Sequence, residues 1–471
     1  MKTACNANQL EFHGLGRRKV IGQFDGGWIS SDGGALLLRE VEKRTHILER
    51  LSHCFTDHRD PRRLEHSTTS LIKQRVYAIA LGYEDLNDHD ALCQDTLLAL
   101  LSDKADPTGS DRVREKDKGK ALAGKSTLNR LELTPAEATS SDRYKKIVAN
   151  EAAMDRLLLA LFVESYPTPP QEIILDVDAT DDPLHGEQEG RFFHGYYGCY
   201  CYLPLYIFCG EHLLCARLRE SNQDGAAGTK EELKRIVSAL RSAWPEVKII
   251  LRGDSGFCRD EIMRWCEGNE VDYVLGVAKN SRLKEALAEE MAQAKQQHEA
   301  SGKAARRFKD FRYQTLKSWS AERRIIGKAE YLSKGENPRF IVTSLPSDEW
   351  EARSLYEELY CGRGDMENRI KEQQLCLFAD RTSTHEMRSN QLRLYFSSFA
   401  YVLIQTLRRL GLEGTEMAKA QCTTIRLKLF KISAQLRVSC RKVWISLSES
   451  YPYATLFWQI FNKLQQIPLR C

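Results

Sequence analysis

Three short apolar runs, Glu172–Asp178, Val247–Leu251 and Val271–Val277, punctuate the middle of the chain. Each is too short for a helix and rich in β-branched residues, the signature of a buried strand. Amphipathic helical stretches precede the second and third runs: Thr229–Ala243, stopped by Pro245, and Asp260–Glu267. Between the first run and these helices, Tyr200–Cys209 and His212–Arg219 read as a hairpin about Gly210-Glu211. The order β-β-β-α-β-α-β predicts an α/β sheet of mixed strand direction with helices on its faces. Strands this apolar must be covered on both sides, so the sheet dictates what the flanking segments do.

The first run ends in acid at Asp178, and the second runs into acid at Asp254. Side chains at strand ends of an open sheet project into the crevice where such folds hold ligands. A third acid is offered by Leu359–Gln374. Read as a helix, this stretch places Tyr360, Arg363, Glu367, Ile370, Lys371 and Gln374 on one face. A core-facing stripe would be aliphatic; this one carries a phenol, a guanidinium, a carboxylate and an ammonium. It is either a solvated face or part of a site. Two Asp and one Glu meeting at one rim would make an all-oxygen site suited to Mg²⁺ or Mn²⁺. Two such ions about 4 Å apart can serve in-line phosphoryl transfer.

Flanking segments differ in character. Upstream, β-like pieces in residues 10–34 precede helices expected over Ala35–Thr45, Thr68–Leu81, Asp88–Leu101 and Ser141–Glu164, with Pro167, Pro169 and Pro170 marking a boundary. Residues 102–125, rich in Lys, Asp and Gly, read as a flexible surface segment, either a linker or a basic finger. Downstream of Lys279 come a charged helix (Arg282–Glu299) and strand-like pieces near Phe311–Leu316, Arg323–Tyr331 and Phe340–Thr343. A helix over about Glu349–Gln374, with a break at its glycines, carries the polar face. The organisation expected is a mostly helical region (1–165), an α/β core (171–279 and 346–390) split by an inserted β-rich subdomain (280–345), and a basic helical C-terminal region (391–471).

From Arg381 to Cys471 there are fourteen Lys and Arg against four Asp and Glu, while the whole chain carries only +4. A basic tail behind an acidic body points to a polyanion-binding surface. The fourteen cysteines are dispersed, with no Cys-x-x-Cys pair, which fits a reducing cytoplasm rather than a disulfide scaffold. Met1–Asn8 has no apolar run behind its lysine, so no signal peptide is expected, and no run is long enough to span a membrane. His185, His194, Glu187 and Glu189 contain metal-binding residue types, but their glycines imply a loop. Trp265, Cys258 and Cys266 read as packing residues.

Leu175-Asp176-Val177-Asp178-Ala179-Thr180, Ile250-Leu251-Arg252-Gly253-Asp254-Ser255-Gly256-Phe257 and Tyr360-x-x-Arg363-x-x-x-Glu367 together resemble the catalytic blocks of bacterial insertion-sequence DDE transposases. The subgroup resembled is the one with a Tyr-Arg-Glu-Lys signature and a β insertion before the glutamate. Similarity continues at Arg75–Asp88 and Ser126–Glu132, so it spans nearly the whole chain. The resemblance implies a ribonuclease H-like core and an enzyme of DNA recombination that cuts the ends of a mobile element with water and joins the 3′-OH to target DNA. It implies Asp178, Asp254 and Glu367 as ligands of two Mg²⁺ or Mn²⁺ ions, Asp178 being preferred to Asp176. Tyr360 and Arg363 would hold DNA phosphates. The signature lysine falls on Gln374, with Lys371 one turn earlier on the same face. Double-stranded DNA, a homodimer on that DNA, no small-molecule substrate and a cytoplasmic, nucleoid-associated bacterial location are expected. The alternatives are a structure-specific endonuclease that does not join, and an inactive DNA-binding relic or repressor.

Overall fold

The computed structural model describes residues 9–469; the expectation about a signal peptide at Met1–Asn8 lies outside the described residues. The chain divides into two units, Asn150–Ser398 and the combination of Met1–Ala149 with Phe399–Cys471.

In the first of these units, the apolar runs become β1 (Glu172–Ala179), β4 (Lys248–Gly253) and β5 (Val271–Val277). The hairpin supplies β2 (Leu205–Cys209) and β3 (His212–Arg217). Four further strands follow: β6 (Ala305–Tyr313), β7 (Arg323–Leu332), β8 (Gly335–Glu336) and β9 (Arg339–Thr343). All nine form one sheet in the order β3-β2-β1-β4-β5-β9-β7-β6, with β8 beside β7. β4 runs parallel to both β1 and β5, and every other pairing is antiparallel. This is the mixed sheet the sequence predicts, and it is consistent with a ribonuclease H-like core.

Strand periodicity sorts the two faces. Leu175, Val177, Ile249, Leu251, Tyr273 and Leu275 pack on one side with residues of α1 (Glu151–Val163), α2 (Thr229–Ala243) and α3 (Asp260–Gly268). Trp265, Cys258 and Cys266 belong to this layer, as expected. Ile250, Val274, Ile326 and Ile341 face the other way, where Leu355, Tyr356 and Leu359 cover them. Fully burying each such side chain contributes about 2 kcal/mol, so the segment carrying the polar motif is also the lid of half the core.

That segment is continuously helical but changes its winding. Leu355–Tyr360 is π-helical, Cys361–Arg363 is a 3-10 turn, α4 (Gly364–Lys371) is regular, and Glu372–Cys376 is π-helical again. The glycines therefore mark a tightened turn and not a break.

Three further expectations are corrected. Residues 280–345 are β-rich, but their strands make no sheet of their own: β9 pairs with β5 from Val274↔Thr343 to Val277↔Phe340 and so extends the core sheet. The reason is that β5 has an otherwise open edge, and an antiparallel strand closes it. The C-terminal region is not helical throughout. Ala434–Val438 pairs with Val443–Leu447 on one side and with Trp28–Ser30 on the other; Ala434 and Leu436 are buried while Gln435 and Arg437 are exposed, a period of two that overrides the basic composition. The helix expected from Ser141 begins only at Glu151, because Asn150 accepts from Ala153 N and caps it, and Ile147–Ala149 pairs instead with Phe55–Asp57.

In the unit formed by the chain's two ends, Thr68–Leu81 is the central helix, capped by Ser67 and closed by Gly82 at φ 95°. Arg426 donates to Ala80 O at 2.9 Å, and the buried Arg75 pairs with the buried Glu132 at 2.9 Å, tying distant segments to it. The segment 102–125 is pinned, not free: Asp106 accepts from Thr108 and Ser110, and Gln74 holds Ala123 through both its amide atoms. No helix of the described residues is long and apolar enough to cross a membrane.

Candidate active site

Register places the first two acids. In the parallel pair β1–β4, Leu251 lies opposite Leu175, Arg252 opposite Asp176 and Gly253 opposite Val177. Asp178 and Asp254 each stand one residue beyond that last pair, at the same edge of the sheet. Gly253 is required there, since a Cβ would come within 2.8 Å of Val177. After it, the Asp254 carboxylate accepts from Gly256 N at 2.7 Å, turning the chain away from the strand and fixing one of its oxygens.

Asp176 is accounted for by its neighbour. Both its oxygens take hydrogen bonds from the Arg252 guanidinium, at 2.5 and 2.8 Å, in a buried bidentate pair. Arg252 also donates to Leu359 O, and Gly362 allows the approach, because a Cβ there would lie 2.7 Å from Arg252 Nη1. The pair thus clamps the helical segment across the sheet.

The clamp brings Tyr360, Arg363 and Glu367 to the acidic edge. Arg363 Nη1 donates to Asp178 Oδ2 at 3.1 Å, and its Nη2 donates to Glu367 Oε1 at 2.8 Å. Tyr360 stands over β5 at Gly276, where a Cβ would meet the phenol oxygen at 2.7 Å and Ser255 N at 2.8 Å. Only glycine lets the phenol and the Asp254 turn close down together.

The electrostatics report the same convergence. Burial pushes Asp178 up to about 6; Arg363 opposes that shift, while Asp254 and Glu367 add to it. Burial works against the Arg363 charge, but Asp178, Tyr360, Asp254 and Glu367 together raise its pKa. Burial likewise raises Tyr360, with Arg363 opposing and Asp254 assisting. Three carboxylates against one guanidinium leave the site short of positive charge.

A family model described as transposase DDE domain group 1 matches residues 12–469. The chain belongs to the DDE transposases. No curated protein matches it. A cryo-EM structure of a piggyBac transposase synaptic complex with hairpin DNA matches with a TM-score of 0.38 at 10% identity, over 85% of this chain and 80% of that one.

DDE transposases are enzymes of DNA recombination that generally use divalent metal ions. Among the described residues, no three His, Cys, Asp or Glu side chains stand together as a ready-made metal cage. The donor chemistry nevertheless fits a hard cation: all-oxygen ligands, a deficit of positive charge, and a guanidinium already bridging two of the carboxylates. The remaining motif positions separate in this transposase. Gln374 Nε2 donates to Asp181 O at 2.9 Å, tying the end of the helical segment to the exit of β1, whereas Lys371 is exposed. The loop histidines His185 and His194 join no metal grouping among the described residues; Glu187 pairs with Arg191 and Glu189 accepts from Met387 N. Sequence reasoning missed the Arg252 clamp and Gly276. The signal for the first was Arg252 itself, an arginine inside an apolar strand, where an unpaired charge is untenable.

Proposed function

We propose that this DDE transposase belongs to a bacterial insertion sequence, cleaves the element's ends with water and transfers the freed 3′-OH to target DNA. The observation that supports the reading is the Arg363 guanidinium, hydrogen-bonded to both Asp178 and Glu367 at one end of the parallel strands, with Asp254 near enough to act on Asp178 and Arg363 electrostatically. In this reading the three carboxylates hold Mg²⁺ or Mn²⁺, two ions in all, which when bound activate water and stabilise the leaving oxygen.

The chain's own groups do the positioning. Asp178 Oδ1 accepts from Ala179 N and Oδ2 accepts from Arg363, so Oδ2 would become available to a metal ion once the guanidinium moves. Arg363 leaves the carboxylates for a DNA phosphate when the substrate arrives, a bidentate exchange that suits its fork. Tyr360 donates to a neighbouring phosphate from its seat on Gly276. Lys371, exposed one turn beyond Glu367, adds charge along the DNA path, and Gln374 fixes the helix end and flanks that path. No Ser, Cys or Tyr nucleophile is needed.

The N-terminal region, residues 1–165, binds element ends, two chains pair on the DNA, and the protein works in the bacterial cytoplasm at the nucleoid. The expected cores and flanks (171–279 with 346–390, and 391–471) divide catalysis from DNA holding. The test is a strand-transfer assay with a labelled duplex taken from the DNA flanking the gene. Magnesium-dependent nicking followed by joined product supports the reading. Nicking without joining supports a structure-specific endonuclease, and binding without either supports a DNA-binding relic.

A further inference from the structure

The hairpin Ala434–Val438/Val443–Leu447 has two faces of opposite character. Leu436 is buried against Leu97, with Ile445 and Leu447 packed beside it, so one face is fastened to the protein. The other face carries Arg437 directly opposite Trp444, and both are exposed, Trp444 by 57%. Two hydrogen bonds close the turn: Ser439 N donates to Lys442 O at 2.9 Å, and Ser439 Oγ accepts from Lys442 N at 3.2 Å. It presents Cys440 and Arg441 at the tip, and Lys442 Nζ lies 5.4 Å from the Trp444 ring centre.

Charge makes this face unusual. Residues 432–448 contain no Asp or Glu, and Arg437, Arg441 and Lys442 form no ion pair among the described residues. Three unneutralised cations around an exposed indole, on a ribbon held firmly from behind, leave their complement to come from outside. A two-stranded ribbon fits the DNA major groove, cations on such a ribbon reach phosphates, and an indole stacks on or lies against sugar and base edges.

We infer that this hairpin is a duplex-DNA contact surface, reached through Arg437, Arg441, Lys442 and Trp444. The inference rests on the transposase reading and gives it a second DNA contact, remote in sequence from the carboxylate motif.

The test uses the full chain and a short fluorescent duplex of random sequence, titrated across a salt series. The Arg437→Gln/Arg441→Gln/Lys442→Gln variant is expected to bind roughly tenfold more weakly at low salt, with the slope of log affinity against log salt shallower by about 3. Trp444→Ala should weaken binding less and leave the slope unchanged. Alkylation of Cys440, read by peptide mapping on the wild-type protein, should slow several-fold when duplex is present; this arm needs no variant to fold. Unchanged affinity and slope, or a Cys440 that DNA does not protect, overturns the inference. Wild-type nicking measured in parallel separates the two levels: nicking with an unchanged variant isotherm overturns the hairpin surface alone, whereas a wild-type protein that neither binds nor nicks DNA overturns the transposase reading with it.

Discussion

Arg363 and Asp178, 185 residues apart in the chain, are joined by a hydrogen-bonded ion pair of 3.1 Å at the edge of the central sheet. The same guanidinium reaches Glu367, so one cation already lies between two of the carboxylates that would hold a metal ion in the proposed reading. Part of the negative charge in this site is offset by that one side chain. Removing it should expose the carboxylates to one another and to solvent cations.

Arg363→Ala is therefore expected to bind Mn²⁺ more tightly than wild type in the absence of DNA, by roughly tenfold or about 1.4 kcal/mol, while losing most DNA nicking. Isothermal titration with Mn²⁺ and a nicking assay read the two effects. Weaker Mn²⁺ binding in the variant would mean that the guanidinium supports the site and does not compete for it.

The Arg252–Asp176 pair makes a prediction about stability alone. Its partners are buried, so Arg252→Met by itself strands a carboxylate in the core and should cost about 3–5 kcal/mol, seen as a lower denaturation midpoint. Arg252→Met with Asp176→Leu should recover much of that loss, because no charge is left unpaired. A single variant as stable as wild type would refute the clamp.

Gly276→Ala puts a methyl group within 3 Å of Tyr360 Oη and Ser255 N. Nicking is expected to fall at least tenfold, with about 1–3 kcal/mol of lost stability. Tyr360→Phe in the same chain removes only the nearer obstacle, so it should restore part of the stability and none of the phosphate contact. Thermal melts and single-turnover nicking on the two variants and wild type check this.

The pH dependence has two opposed parts. Asp178 titrates near 6 in the folded metal-free protein against an ordinary value of 3.8, so between those limits the folded state holds the extra proton. Its contribution is full below about 3.8 and is lost as pH rises to about 6, at most about 3 kcal/mol. Asp178→Asn should thus be more stable than wild type at neutral pH. His89 behaves oppositely: burial, aided by Arg75, lowers it to about 3, so its contribution is full above 6.5 and is lost as pH falls. Urea midpoints from pH 4 to pH 7 for the two single variants, His89→Gln included, should show slopes differing from wild type in opposite directions.

What the residues reveal unaided follows from where the physics is local. Apolar runs of β-branched residues specify the parallel strands, so the placing of Asp178 and Asp254 at the same end of the sheet is legible from pattern. Glu367 is legible only through its spacing to Tyr360 and Arg363 and the resemblance that spacing supports. The Arg252–Asp176 clamp depends on register between two strands seventy-odd residues apart, which no local pattern encodes. The extension of the sheet by β6, β7 and β9 was hidden because an edge strand and an independent β subdomain have the same alternation. At Ala434–Leu447 the abundance of Lys and Arg masked a period-two pattern only five residues long on each strand, and the π-helical turns around Tyr360 carry no signature that distinguishes them from regular helix.

The most direct measurement is magnesium-dependent nicking of a plasmid carrying the gene's flanking DNA by Asp178→Asn, Asp254→Asn and Glu367→Gln, singly and in pairs. Groups that act as one centre are grossly non-additive, so each single variant should fall to background, roughly a thousandfold or more, and each pair should be no worse. Any one variant that keeps wild-type nicking would show that the three carboxylates are not one active site.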